Sequence, residues 1–274
     1  MASLTMRGMV QIPQAPMWSK QALRGDYARA THDYRLPQEW ERYTPAEHDI
    51  WRTLHERQLA LVEAHAAPEF LSGVRLLEAR TDQIPRMEAA SAMLHRLTGW
   101  ELVGVPGLIP EQRFFGFLSD RQFPVTVWMR RPDELDYLVE PDLFHDFFGH
   151  LPMLTHPVFA NYVQEYGKKG RDATSPLALK MLARLYWYTV EFGLINTPRG
   201  VRAYGAGILS SSGETVYALQ SPEPLRVPFD LDRVLHAEYL IDAYQQQYFV
   251  LDSFEQLFDS VLGADIEVIA RAAA

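Results

Sequence analysis

Between residues 44 and 65 the chain reads TPAEHDIWRTLHERQLALVEAH, and its apolar positions fall at helical spacing. Ile50, Trp51, Leu54, Leu61, Val62 and His65 form the stripe. Thr44 ahead of it, Pro45 in the first turn and Glu47 three residues after Thr44 make a capping box, so the pattern predicts a helix with a defined start. A second helix is predicted over 85–99, PRMEAASAMLHRLTG, stopped by Gly99. WELVGVPG (100–107) reads as a short strand, PEQRFFGFLSD (110–120) as a helical turn, and QFPVTVWMR (122–130) as a strand with β-branched residues.

Further helices are expected over 142–150, 155–168, 176–195 and 232–246, and again near the C-terminus. RAYGAGILSSSGE (202–214), rich in small residues, reads as strand and loop, and the Pro-rich SPEPLRVPFD (221–230) as a surface connection. There is no internal repeat or low-complexity linker. These elements predict a mainly α chain of the α+β kind: one compact domain of packed helices with a few short strands over 31–274, behind a loosely ordered arm over 1–30.

Composition narrows the chemistry. The chain has 274 residues, 47% hydrophobic and 22% charged, which is ordinary for a globular domain with a sizeable core. A net charge of −9 disfavours nucleic acid and anionic lipid as partners. The absence of cysteine excludes disulfides, thiolate metal sites, iron–sulfur clusters and a cysteine nucleophile, and fits a reducing compartment. The first residues lack the apolar core and cleavage site of a signal peptide, and no run approaches the roughly 18 apolar residues of a membrane span. A soluble cytoplasmic protein is expected.

Against this background FHDFFGHLPM (144–153) stands out, because it sets His145 and His150 in an apolar, aromatic run. Five residues along a regular α-helix turn through roughly 140°, which separates the two rings. Gly149 and Pro152 mark a helix end, where a relaxed last turn lets the rings converge. Hydrogen-bonded core histidines are one reading and metal ligands the other. A third ligand is available in LYWYTVEFGLI (185–195), an apolar helix whose one charge is Glu191. A buried carboxylate there needs a cation. Two histidines and one carboxylate with open positions suit zinc hydrolases and oxygen-activating non-haem Fe(II) enzymes alike. The zincin motif, with histidines four apart and an adjacent glutamate, is absent.

EPDLFHDFFGHLP, YWYTVEFGL and AYGAGILSSSGE, in this order and at these separations, resemble the pterin-dependent aromatic amino acid hydroxylases, and most of all their bacterial, phenylalanine-hydroxylating branch. The resemblance spans roughly residues 100–250. It implies the fold of that family's catalytic domain, with His145, His150 and Glu191 as the catalytic metal ligands. The implied cofactors are Fe(II) and a tetrahydropterin, either tetrahydrobiopterin or a related bacterial pterin. The implied reaction is a monooxygenation of L-phenylalanine to L-tyrosine with O2, in phenylalanine catabolism. The same chemistry on L-tryptophan, or zinc-dependent hydrolysis at the same site, are the alternatives.

The resemblance also assigns the pocket. In VPGLIPEQRFFGF, Phe114 is the ring that stacks on the pterin, Gly107 and Ile109 offer backbone contacts to its edge, and Asp146 lies near it. Arg130 clamps the substrate carboxylate, Asp142 orients Arg130, Ser210 makes a second contact near that carboxylate, and Trp187 walls the aromatic pocket. Leu138 and Val139 replace a threonine and a proline of animal members, which removes one side-chain hydroxyl from the substrate's surroundings. The C-terminal EVIARAAA is too short for a tetramerising coiled coil, so a monomer is expected.

Overall fold

The computed structural model describes residues 23–77, 82–136, 138, 140–241 and 243–273. Residues 1–22 of the expected arm and Val139 lie outside this set. The first helix, α1, runs Pro45–His65. Its capping box is formed: Thr44 Oγ1 accepts the Glu47 N–H, and Glu47 Oε2 accepts the Thr44 N–H at 2.7 Å. A helix that the periodicity does not announce, α2, follows directly over Pro68–Leu77, and α3 spans Met87–Thr98. Gly99 closes α3 in the left-handed conformation, as expected of a glycine after a helix.

Strand β1 (Glu101–Val105) and strand β2 (Gln122–Thr126) pair in parallel, joined by helix α4 over Glu111–Ser119. The stretch read as a helical turn is thus a full helix, and the strand expected over 122–130 stops at Thr126. After a π turn at His145–His150 come α5 (Leu151–Leu154), α6 (Pro157–Asp172) and α7 (Pro176–Tyr186). A second π turn, Trp187–Glu191, extends α7. The helix expected over 176–195 therefore ends at Glu191, and Leu194 and Ile195 belong to strand β3 (Leu194–Thr197). An uninterrupted apolar run does not by itself separate a buried helix from a buried strand.

Strand β4 (Gly200–Ala203) is followed by α8 (Ala206–Leu209), α9 (Ser212–Gln220), β5 (Leu225–Pro228), α10 (Leu231–His236), β6 (Gln247–Leu251), α11 (Phe254–Leu262) and α12 (Ile266–Ala273). Strands β3 to β6 form a second sheet in the order β4-β3-β6-β5, antiparallel between β3 and β4 and parallel elsewhere. The stretch read as a surface connection supplies β5, and the one read as strand and loop contains α8. The helix expected over 232–246 stops at His236: Ala237, Leu240, Ile241 and Tyr244 keep helical spacing, but none of them is buried, and Leu240 and Tyr244 are exposed.

The helices enclose one large aromatic core that holds the first histidine segment in place. Trp51 of α1 packs edge-on against Phe144 and Phe147 at 5.4 and 5.7 Å, and Phe144 stacks on Phe148 at 5.1 Å. Residues 23–30, assigned to the arm, lie against this body: Tyr27 is buried and its hydroxyl donates to the Leu108 carbonyl at 2.9 Å.

Candidate metal centre and substrate pocket

His145 and His150 open and close the first π turn. Hydrogen bonding from i to i+5 brings residues five apart back to one side of the helix, which regular α geometry does not. Glu191 ends the second π turn, where Phe192 N–H donates to the Trp187 carbonyl at 2.8 Å. The two turns are held together by α8 and the glycine before it. A Cβ on Gly205 would lie 2.4 Å from the Glu191 carbonyl oxygen, and one on Gly149 would lie 3.0 Å from the Ala206 Cβ. The small residues of AYGAGIL are therefore the spacer that lets both turns approach.

The result is convergence of three donors. His145 Nε2 and His150 Nε2 are 3.2 Å apart, and they lie 3.5 and 3.2 Å from the two oxygens of Glu191. Donors about 2.1 Å from one ion would be about 3.0 Å apart at right angles and about 3.4 Å apart in a tetrahedron. The observed spacings fit one small cation, held on one face by two imidazoles and a carboxylate. Burial would raise the pKa of Glu191, but the imidazoles of His150 and His145 pull it far below the ordinary carboxylate value. Burial would lower that of His145, but Glu191, with Asp146 and Asp142 behind it, raises it. The site is thus arranged around an anionic carboxylate. His145 Nδ1 lies 2.8 Å from Ser210 Oγ, which fixes the ring.

Arg130 and Asp142 form a buried two-pronged pair. Nε and Nη2 donate to the two Asp142 oxygens, each at 2.9 Å, and Asp142 Oδ2 also accepts the Arg130 N–H at 3.0 Å. Asp142 is fully buried, which alone would raise its pKa, yet Arg130 brings it below the usual value. One hydrogen on each Nη remains beyond these bonds and a long one from Nη1 to the Leu135 carbonyl, a fork suited to a second carboxylate.

On the other side, Phe114 is half-buried and meets Tyr186 edge-on at 5.4 Å, while the Tyr186 ring is 6.3 Å from that of His150. Gly107 has φ 140°, a conformation that side chains oppose, and a Cβ there would sit 2.4 Å from Glu140 Oε1. Ile109 packs its side chain against the small cluster of Val103, Val105 and Phe117. The Asp146 carboxylate is buried and accepts the Thr126 N–H at 2.7 Å, and burial raises its pKa. Trp187 is half-buried, stacked on Tyr239 at 4.5 Å, with Nε1 donating to Gln245 Oε1 at 3.0 Å.

All three expected metal ligands are thus brought together, as are Arg130 and Asp142. Ser210 stands beside the first histidine, its hydroxyl 2.8 Å from His145 Nδ1. Tyr186, Glu140 and Gln245 carry no signal that singles them out in the sequence. Tyr186 is one of several aromatics in its helix, and Glu140 shares the EPD triplet with Asp142.

A family model for biopterin-dependent aromatic amino acid hydroxylases matches residues 17–264. The chain belongs to that family. The phenylalanine-4-hydroxylase of Chromobacterium violaceum is 54% identical over 229 residues, covering 84% of this chain and 77% of the relative. A crystal structure of the hydroxylase from that organism, with bound iron(III) and 7,8-dihydrobiopterin, superposes with a TM-score of 0.85 at 52% identity, covering 88% of each chain. Another, with iron and phenylalanine bound, gives a TM-score of 0.83 at 50% identity over 88% of this chain and 87% of that one. The helix-rich catalytic fold of the family, with its few short strands, is the fold found here.

Proposed function

We propose that this chain is a phenylalanine 4-monooxygenase that uses Fe(II), O2 and a tetrahydropterin to convert L-phenylalanine to L-tyrosine. The observation that carries this is the closure of His145, His150 and Glu191 on one point, in a chain of this family. Bound together, the metal and the pterin supply the reduction of oxygen. The protein's part is to hold and orient.

His145, His150 and Glu191 hold the iron, and Ser210 holds His145. The open fork of Arg130, kept flat by Asp142, takes the substrate carboxylate and directs the ring toward the metal. Trp187 walls the ring's pocket. Phe114 stacks on the pterin, the backbone at Gly107 and Ile109 meets its edge, and Asp146 lies beside it. The catalytic domain takes in the chain from residue 31 on, with residues 23–30 of the arm seated against it through Tyr27. A cytoplasmic, monomeric enzyme is the setting; the lack of cysteine supports the reducing compartment, and among the described residues no helix is long and apolar enough to cross a membrane.

The test is anaerobic reconstitution with Fe(II), then addition of oxygen, a tetrahydropterin and each aromatic amino acid, with products identified by mass. Tyrosine from phenylalanine is expected. Hydroxytryptophan as the preferred product would overturn the substrate, and stoichiometric zinc with ester or amide hydrolysis would overturn the reaction.

A further inference from the structure

Among its described residues the connection between α10 and β6, residues 237–246, has neither helix nor strand, and of these residues only Gln245 is buried, at 2% exposure. A buried primary amide has to be satisfied, and this one is. Its Oε1 accepts Trp187 Nε1–H at 3.0 Å and the Leu240 N–H at 3.4 Å. Its Nε2 donates to the carbonyls of Leu240 at 2.6 Å and Ala243 at 3.3 Å. The Gln245 backbone N–H donates to Glu214 Oε1 at 3.4 Å, and the Tyr248 hydroxyl donates to the same oxygen. One amide therefore works in two directions, outward to fold the connection on itself and inward to the indole.

Trp187 stands four residues before Glu191, on the same side of the π turn. Its ring stacks on Tyr239 of the connection at 4.5 Å and 21°, and the Phe192 ring is 4.7 Å away. Stacking holds the indole against the tyrosine face but is met over a range of ring separations, about 4.5–7 Å between centroids, so it fixes the ring loosely. The hydrogen bond to Gln245 removes that freedom.

We propose that Gln245 is a positioning residue for the substrate ring, acting through the Trp187 indole, and that it thereby sets which aromatic amino acid the pocket accepts. This rests on the reading of Trp187 as the pocket wall. Gln245 itself belongs to a segment that supplies no metal ligand.

The experiment compares Gln245→Met, which keeps length and loses the hydrogen bonds, with Trp187→Phe, which loses the indole N–H, and with the double variant. Gln245→Met is expected to raise the phenylalanine KM by roughly five- to tenfold, the effect of one lost buried hydrogen bond. It should also lower the tyrosine formed per pterin consumed and raise the ratio of tryptophan to phenylalanine hydroxylated, with pterin KM and iron content unchanged. In the Trp187→Phe background the same substitution should add little. Full additivity in the double variant, or unchanged phenylalanine KM and coupling in Gln245→Met, overturns the proposal. So does Trp187→Phe with unaltered KM and coupling, whether or not Gln245→Met folds. Tyrosine formation by the unaltered protein, measured alongside, tests the proposed function separately.

Discussion

The Asp142 carboxylate that grips Arg130 also accepts the backbone N–H of His145, at 3.1 Å. The guanidinium and the first metal ligand are thus two hydrogen bonds apart through one rigid, buried group. A planar fork fixes both the position and the direction of a bound carboxylate, whereas an ammonium fixes neither. Arg130→Lys should raise the phenylalanine KM about ten- to a hundredfold, in line with the roughly 1.5–3 kcal/mol carried by a charged hydrogen-bonded pair. It should also lower the tyrosine formed per pterin consumed, since a tilted ring misses the metal. Saturation curves and product-to-pterin ratios check this; unchanged values for both would place the substrate carboxylate elsewhere.

Replacing a metal ligand should abolish hydroxylation. His145→Ala, His150→Ala and Glu191→Gln each leave two donors where three now converge, and iron affinity should fall by more than about a hundredfold, beyond the loss typical of outer-shell changes. Chelation of the wild-type iron should lower the melting temperature, through loss of up to about 2.7 kcal/mol of stabilisation when free iron stands at about a hundred times its Kd. Metal analysis and calorimetry with and without chelator read both effects. Full turnover in a ligand variant freed of iron would remove the metal-centre assignment.

Phe114→Ala should raise the pterin KM by roughly tenfold or less and leave that of phenylalanine near its starting value, because a stacked ring is worth about 0.5–1.5 kcal/mol beyond its buried area. Phe114 is half-buried, so its loss should cost little stability. A large drop in melting temperature with unaltered pterin kinetics would instead make Phe114 a core residue.

Glu214 ties pH to stability. Burial pushes its pKa up to about 7, against the opposing hydrogen bonds from Tyr248 and the Gln245 N–H. The folded state therefore binds a proton that the unfolded chain has released, and stability falls as pH rises from the ordinary carboxylate range through about 7. The full span is about 3 kcal/mol at most, because a tenfold difference in proton affinity between the folded and unfolded states is worth about 1.36 kcal/mol. Glu214→Gln should flatten that slope. Urea denaturation of both proteins at pH 5 and pH 7.5 measures it, and parallel slopes would show that Glu214 does not titrate in this range.

Much of this arrangement is legible in the residues. Thr44, Pro45 and Glu47 are local signals, and α1 begins where they place it. The single charge of Glu191 in an apolar helix points to a buried cation site, and the carboxylate does face two imidazoles. The π turns are not legible, since no residue type prescribes i to i+5 bonding and only packing around Gly149, Gly205 and Ala206 enforces it. The boundary after Glu191 is hidden because Leu194 and Ile195 are as apolar as the helix before them. Gln245 is hidden for the opposite reason: a polar residue in a polar stretch has no signature until its partner, 58 residues away, is known.

A π turn is an α-helix that has gained one residue without gaining a turn. The metal site is built on two such turns, so it is encoded in chain length as much as in composition. Were the segment from His145 to His150 to wind as a regular α-helix, every ligand would remain in the sequence. The five-residue spacing would then set the two imidazoles roughly 140° apart around the helix axis, whereas a spacing of four would return them to one face. The spacing of the histidines and the winding between them are thus matched, and a change in one calls for a change in the other. The spacing of five is itself a functional element.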